Sequence, residues 1–252
     1  MQTQLSIGKS NGNHWAFWTL VGLSMLLANA PFFGWVLFPV TEFTTMIHEL
    51  GHAFVCMLTG GTVTGLTIVS DGQGHGGLTN CAGGMPFLYT QAGYLGTAVF
   101  GAFLIFICQF RRGAKAALCV IGSCLALASI GLVGANVLHT GMQGLLSFVC
   151  AMLLSVALIW AGTNFKVLGI RWSQGGANLL LTFLAIQTAL NSVTSLFYLT
   201  QASLGEGAWS DATNMQHMTG IPAVVWSVFW AAVSLALVGF AMWRTYGFGK
   251  KA

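Results

Sequence analysis

Residues 40–58 read VTEFTTMIHELGHAFVCML, an apolar run of helical length with ionisable side chains at its centre. A bilayer's hydrocarbon core is about 30 Å thick, and roughly 20 helical residues cross it. Ionisable groups at that depth are costly and mark function where they occur. In this run His48, Glu49 and His52 fall within a single turn and a half. At the helical period His48 and His52 stand one above the other on one face, so both imidazoles can reach one metal ion. Glu49 lies about 100° further round. That places it beside the ion rather than on it, where a carboxylate can hold a water molecule and take its proton.

The rest of the chain shares the same solvent. It has 252 residues, of which 9 are basic and 5 acidic, and 56% are hydrophobic; the mean hydropathy is +0.77. A soluble domain carries about a quarter charged residues. The composition excludes a soluble enzyme, a secreted disulfide scaffold, a disordered tail and a nucleic-acid binder, which needs a basic stripe. Apolar runs of spanning length, uncharged except for the second, occur at Trp15–Leu37, Val40–Leu58, Pro86–Phe110, Ala116–Ala135, Gly144–Gly162, Asn178–Leu199 and Ile221–Trp243. In lipid they must be helices, because every backbone polar group has to be satisfied internally. The expected fold is therefore all-α, a polytopic membrane helix bundle of about six or seven transmembrane helices. It forms a single integral-membrane domain over 1–252, with a short polar tail at 1–14 and a basic one at 244–252. Pro31 interrupts the first run and Pro39 separates it from the second, leaving one bent crossing or two. Lys9 followed by an apolar run and Ala28-Asn29-Ala30 also has the form of a signal peptide. A membrane anchor is the simpler reading, since the apolar sequence continues past that site.

Thr62 to Cys81 breaks the helical pattern. Gly60-Gly61 is a helix stop, β-branched residues follow it, and Asp71-Gly72 marks a turn, so this segment reads as a small β-hairpin beside the membrane. A Gly-rich loop is the alternative. Basic residues follow the third run (Arg111, Arg112, Lys115), the fifth (Lys166, Arg171) and the seventh (Arg244, Lys250, Lys251). Alternate crossings put these clusters on one side. The positive-inside rule makes that side cytoplasmic and the hairpin external, in a cell membrane. The six cysteines, Cys56, Cys81, Cys108, Cys119, Cys124 and Cys150, form no Cys-x-x-Cys and read as small packing residues.

Two histidines with an open position on the metal favour zinc. One protein ligand is then missing, and the acidic inventory is Glu42, Glu49, Asp71, Glu206 and Asp211. Glu42 faces about 240° away from His48 on the helix, Asp71 is explained by the turn, and Glu206 lies in a Gly-flanked loop. Asp211 remains as candidate third ligand by elimination; its alternative role is a helix cap. His14, His75, His139 and His217 sit near predicted boundaries and read as interfacial polar residues.

His48-Glu49-Leu50-Gly51-His52 in an apolar helix, with a Gly-Gly stop and a short hairpin after it, resembles the site-2 protease family of intramembrane zinc metalloproteases. The likeness is closest to the compact branch without a PDZ domain. Thr59-Gly60-Gly61, Ala92-Gly93-Tyr94-Leu95-Gly96 and Ser210-Asp211 before Thr219-Gly220-Ile221-Pro222 support it. It covers residues 40 to 243, and only the HExxH stretch is highly specific. The resemblance implies zinc (Zn2+) held by His48, His52 and Asp211, with Glu49 activating water inside the membrane. The chain departs from the family's Asn-x-x-Pro…Leu-Asp-Gly context around the ligand Asp, and Asn191 or Asn214 is left to substitute for that Asn. The resemblance also implies a cytoplasmic hairpin, against the charge count. The expected activity is hydrolysis of a peptide bond in a transmembrane protein or peptide substrate within the lipid bilayer. A hydrolase for lipid-linked or small amides and a non-catalytic bundle or transporter that retains the metal site are the rival readings.

Overall fold

A computed structural model describes residues 34–68, 76–110, 113–134, 137–167, 169–203 and 210–246, with Thr19 and Gly22. The elements run α1 (Gly34–Leu58), β1 (Thr62–Thr67), β2 (Leu78–Ala82), α2 (Pro86–Ile107), α3 (Ala114–Ala128), α4 (Val137–Gly162), α5 (Gln174–Ser203), α6 (Asp211–Thr219) and α7 (Ala223–Tyr246). Helix α3 continues into a π-helical turn at Ser129–Val133. Most of the first apolar run, the hairpin turn with Asp71 and His75, and the residues Arg111, Arg112, Glu206, Lys250 and Lys251 lie outside the described residues, as does the side chain of His139.

Among the described residues four helices are long and apolar enough to cross a bilayer: Pro86–Ile107, Ala114–Val133, Gly144–Gly162 and Ala223–Thr245. Helices α1 and α5, 25 and 30 residues long, carry buried polar side chains instead, among them Glu42, Glu49, Thr188 and Ser192. The break expected at Pro39 is absent, because α1 runs through it. Pro39 stands in the second turn, where its missing N–H forfeits one bond to the carbonyl of Trp35. Helix α4 starts earlier than its apolar run and is kinked at Gly141, where φ is 63°.

Helix α2 is the hub, packing against α1, α5 and α7, while α3 pairs with α4. The core is built from Phe43, Met46, Leu66, Leu104, Leu118 and Leu181, all essentially buried. Large apolar side chains such as Phe103, Leu127, Leu153 and Phe240 point outward on the spanning helices, as lipid-facing residues do. The α1–α2 contact is close because Gly51 meets the α2 backbone. A Cβ there would run into the Ala92 carbonyl oxygen and lie 3.1 Å from its carbon. Small residues allow this kind of approach between membrane helices. Gly51→Ala is therefore expected to destabilise the protein by about 1–3 kcal/mol, the usual cost of overpacking. A lower Tm in detergent would show it.

The hairpin is a two-stranded antiparallel sheet with a bulge between Val63 and Gly65. Its first strand leads to Ile68, whose N–H donates to Ser147 Oγ on α4 at 2.9 Å. At the other end of α4, Lys115 Nζ donates to the Thr163 and Trp172 carbonyls and to Asn164 Oδ1. The described basic residues of that end are thus remote from the hairpin. Cys56 and Cys81 are not mere packing residues but form a disulfide, because the return strand folds back along the last turns of α1. The other four cysteines are free.

Candidate metal centre

Three connections hold α1 against the start of α2. Thr59 Oγ1 donates to the Val55 carbonyl at 2.8 Å and accepts the Met85 N–H at 3.0 Å, which fixes the end of one helix to the N-cap of the next. The Cys56–Cys81 bond lies beside it. One turn into α2, the Tyr89 carbonyl accepts a hydrogen bond from His52 Nδ1 at 2.7 Å. That bond places the His52 proton on Nδ1 and leaves the Nε2 lone pair facing inward, the arrangement a metal-binding imidazole needs.

His48 Nε2 lies 3.0 Å from His52 Nε2. The His48 ring stands edge-on to Tyr94, with centroids 4.6 Å apart, and Tyr94 stacks on the fully buried Trp230 of α7 at 5.3 Å. The first imidazole is therefore braced by a column of aromatic rings running across three helices.

Asp211 reaches the same point from far along the chain. Helix α6 is short and polar, and its position is set by capping and by two buried side chains. Ser210 is its N-cap, with a reciprocal capping box to Thr213, so the cap role considered for Asp211 belongs to Ser210. Ala212 and Met215 are fully buried in a cluster with Trp230, against Tyr94 and Leu95. At the C-terminal end the Gln216 side chain accepts the Ala223 N–H at 2.8 Å and so joins α6 to α7. Docked this way, Asp211 Oδ2 comes 3.3 Å from His48 Nε2 and 3.2 Å from His52 Nε2. Burial alone would push the Asp211 carboxyl upward. With both imidazoles protonated, the charge of His52, hydrogen bonds from both rings and the charge of His48 outweigh it and hold the group below the ordinary carboxylate range.

The residues fit a zinc ion. The ligand atoms of His48, His52 and Asp211 all lie within 4.8 Å of one another. Bonds of 2.0–2.1 Å in a tetrahedron put neighbouring ligand atoms about 3.3–3.4 Å apart, close to the separations found. Gly93 of α2 faces the two imidazole nitrogens. A Cβ on that residue would run into His52 Nε2 and stand 2.5 Å from His48 Nε2, in the gap between the two imidazole nitrogens. His48 and Asp211 have side chains 19% and 20% exposed while His52 has 8%, so access to the site is on the side of His48 and Asp211.

Glu49 is buried, and one of its carboxylate oxygens accepts a hydrogen bond from Thr79 Oγ1 at 2.7 Å. His217 is exposed on α6. Sequence reasoning assigned no role to Tyr89, Gly93, Tyr94 or Thr79. Tyr89 acts through its carbonyl, which any residue could supply. Gly93 and Tyr94 lie in a quoted stretch, but only the packing of α2 shows what they touch.

The Peptidase M50B-like family model matches residues 17–241 of the chain. No curated protein matches it, and no solved structure does.

Proposed function

Because the chain belongs to the Peptidase M50B-like family, we propose that it is an intramembrane zinc metallopeptidase that hydrolyses a peptide bond in a membrane-embedded substrate. The observation that carries this reading is the convergence of His48, His52 and Asp211 from helices remote in sequence. Those three side chains would hold the zinc. When bound, zinc supplies Lewis acidity, polarising a carbonyl and making water acidic enough to lose a proton near neutral pH.

Glu49 does the proton work. Its carboxylate takes the proton of the attacking water and delivers it to the leaving amine. Tyr89 and Tyr94 keep the imidazoles oriented. A helical substrate shields its peptide bonds with its own hydrogen bonds, so it must unwind before cleavage. Among the described residues β2 pairs with β1 alone, and its other edge offers backbone groups that hold an unwound segment by strand addition.

Purified protein is expected to cleave a single-span peptide, to stop when a chelator removes the metal, and to recover with added zinc. His48→Ala and Asp211→Ala are both expected to lose zinc, measured by elemental analysis. Full zinc in Asp211→Ala would remove that residue from the site. Turnover of lipid-extract amides without cleavage of the peptide would move the substrate class.

A further inference from the structure

The return strand of the hairpin does more than cover α1. Exposure alternates along it, with Leu78, Asn80 and Ala82 outward and Thr79 and Cys81 turned in. The inward side begins at Gly77, where a Cβ would stand 2.8 Å from Thr45 Cγ2 and 2.9 Å from both Glu49 Cγ and Glu49 Oε1. Thr79 Oγ1 lies 2.7 Å from Glu49 Oε2 and 3.1 Å from the Glu49 carbonyl oxygen. Cys81 is bonded to Cys56. Gly77, Thr79 and Cys81 thus follow one another along Thr45, Glu49 and Cys56, which lie four and then seven residues apart, one turn and then two, on one side of α1.

We propose that Thr79 is a positioning residue for Glu49 and that the Cys56–Cys81 disulfide keeps it in place. The inference rests on the peptidase reading above. A carboxylate set by three rotatable bonds has several rotamers, and a base that must meet one water molecule works from one of them. The Thr79 hydroxyl holds Oε2. Gly77 leaves open the space beside Oε1, the oxygen then free to take a proton. The disulfide sits two residues beyond Thr79 on the same side of the strand, so it ties the strand to α1 close to that hydroxyl.

The test uses the full-length protein in detergent. Thr79→Val removes the hydroxyl at constant shape and is expected to lower kcat about 10- to 100-fold, the usual cost of losing a supporting hydrogen bond. KM and zinc content should stay at the wild-type value. Thr79→Ser should restore most of kcat, which a purely structural role would not require. The double variant Cys56→Ala/Cys81→Ala should lower kcat as well, and adding Thr79→Val to it should cost little more, since both act through one hydroxyl. Hydrogen exchange in the metal-free protein should be faster over 78–82 in the double variant, whatever the activity. Wild-type kcat in Thr79→Val, zinc loss in that variant, failure of Ser to rescue it, or losses that simply add would each overturn the proposal. Absence of zinc-dependent cleavage in the wild type is a different result, and it would overturn the peptidase reading first.

Discussion

Glu49→Gln is expected to keep its zinc and to lose about 10²- to 10⁴-fold in kcat, the range that general acid–base catalysis supplies. The amide has nearly the shape of the carboxylate and can still accept the Thr79 hydrogen bond through its oxygen. It cannot take a proton from water or pass one to an amine. Glu49 is not one of the three side chains whose ligand atoms converge, so the metal should remain. This separates Glu49 from His48 and Asp211, whose replacement is expected to remove the zinc itself. Elemental analysis beside steady-state cleavage of a single-span peptide reads both quantities. A zinc-loaded Glu49→Gln protein that cleaves as fast as wild type would exclude Glu49 as the base.

Gly93→Ala should have an effect as large, by another route. Within a helix Ala is favoured over Gly by about 1 kcal/mol, and α2 on its own would gain from the change. The added methyl, however, enters the gap between the imidazoles, running into His52 Nε2 and lying 2.5 Å from His48 Nε2. Backbone on one side and braced rings on the other leave it nowhere to go. The expected outcome is loss of zinc, with activity reduced to that of chelated wild type and helix content by circular dichroism unchanged. Zinc bound at the wild-type stoichiometry would show that the ion does not sit before Gly93.

Legibility from sequence followed the range of the interactions involved. The His48–Glu49–His52 pattern is local, and helical periodicity alone puts its two imidazoles on one face. The β-hairpin was legible for the same reason, through a helix stop, a β-branched stretch and turn residues. Asp211 could be reached only by elimination and by family likeness. Its approach to the histidines depends on Ala212 and Met215 docking α6 against α2 and α7, a tertiary contact with no local signature. The Cys56–Cys81 bond was missed because one partner is hidden in an apolar helix and the other lies 25 residues away. The hint available was that both stand at the same edge of the bundle, one near the end of α1 and one at the end of the hairpin. Pro39 was misread because a proline between two apolar runs looks like a boundary. Near the start of a helix it removes only one bond, and the helix continues.

The disulfide also gives the molecule a sense of direction. Cystine forms and survives in the periplasm, the secretory lumen or the cell exterior, and is rare where glutathione keeps thiols reduced. A hairpin sealed in this way is expected on the exported face, as the charge count of the sequence also expects and against the orientation that family likeness implies. On that expectation the newly made chain must translocate its hairpin before the bond can close.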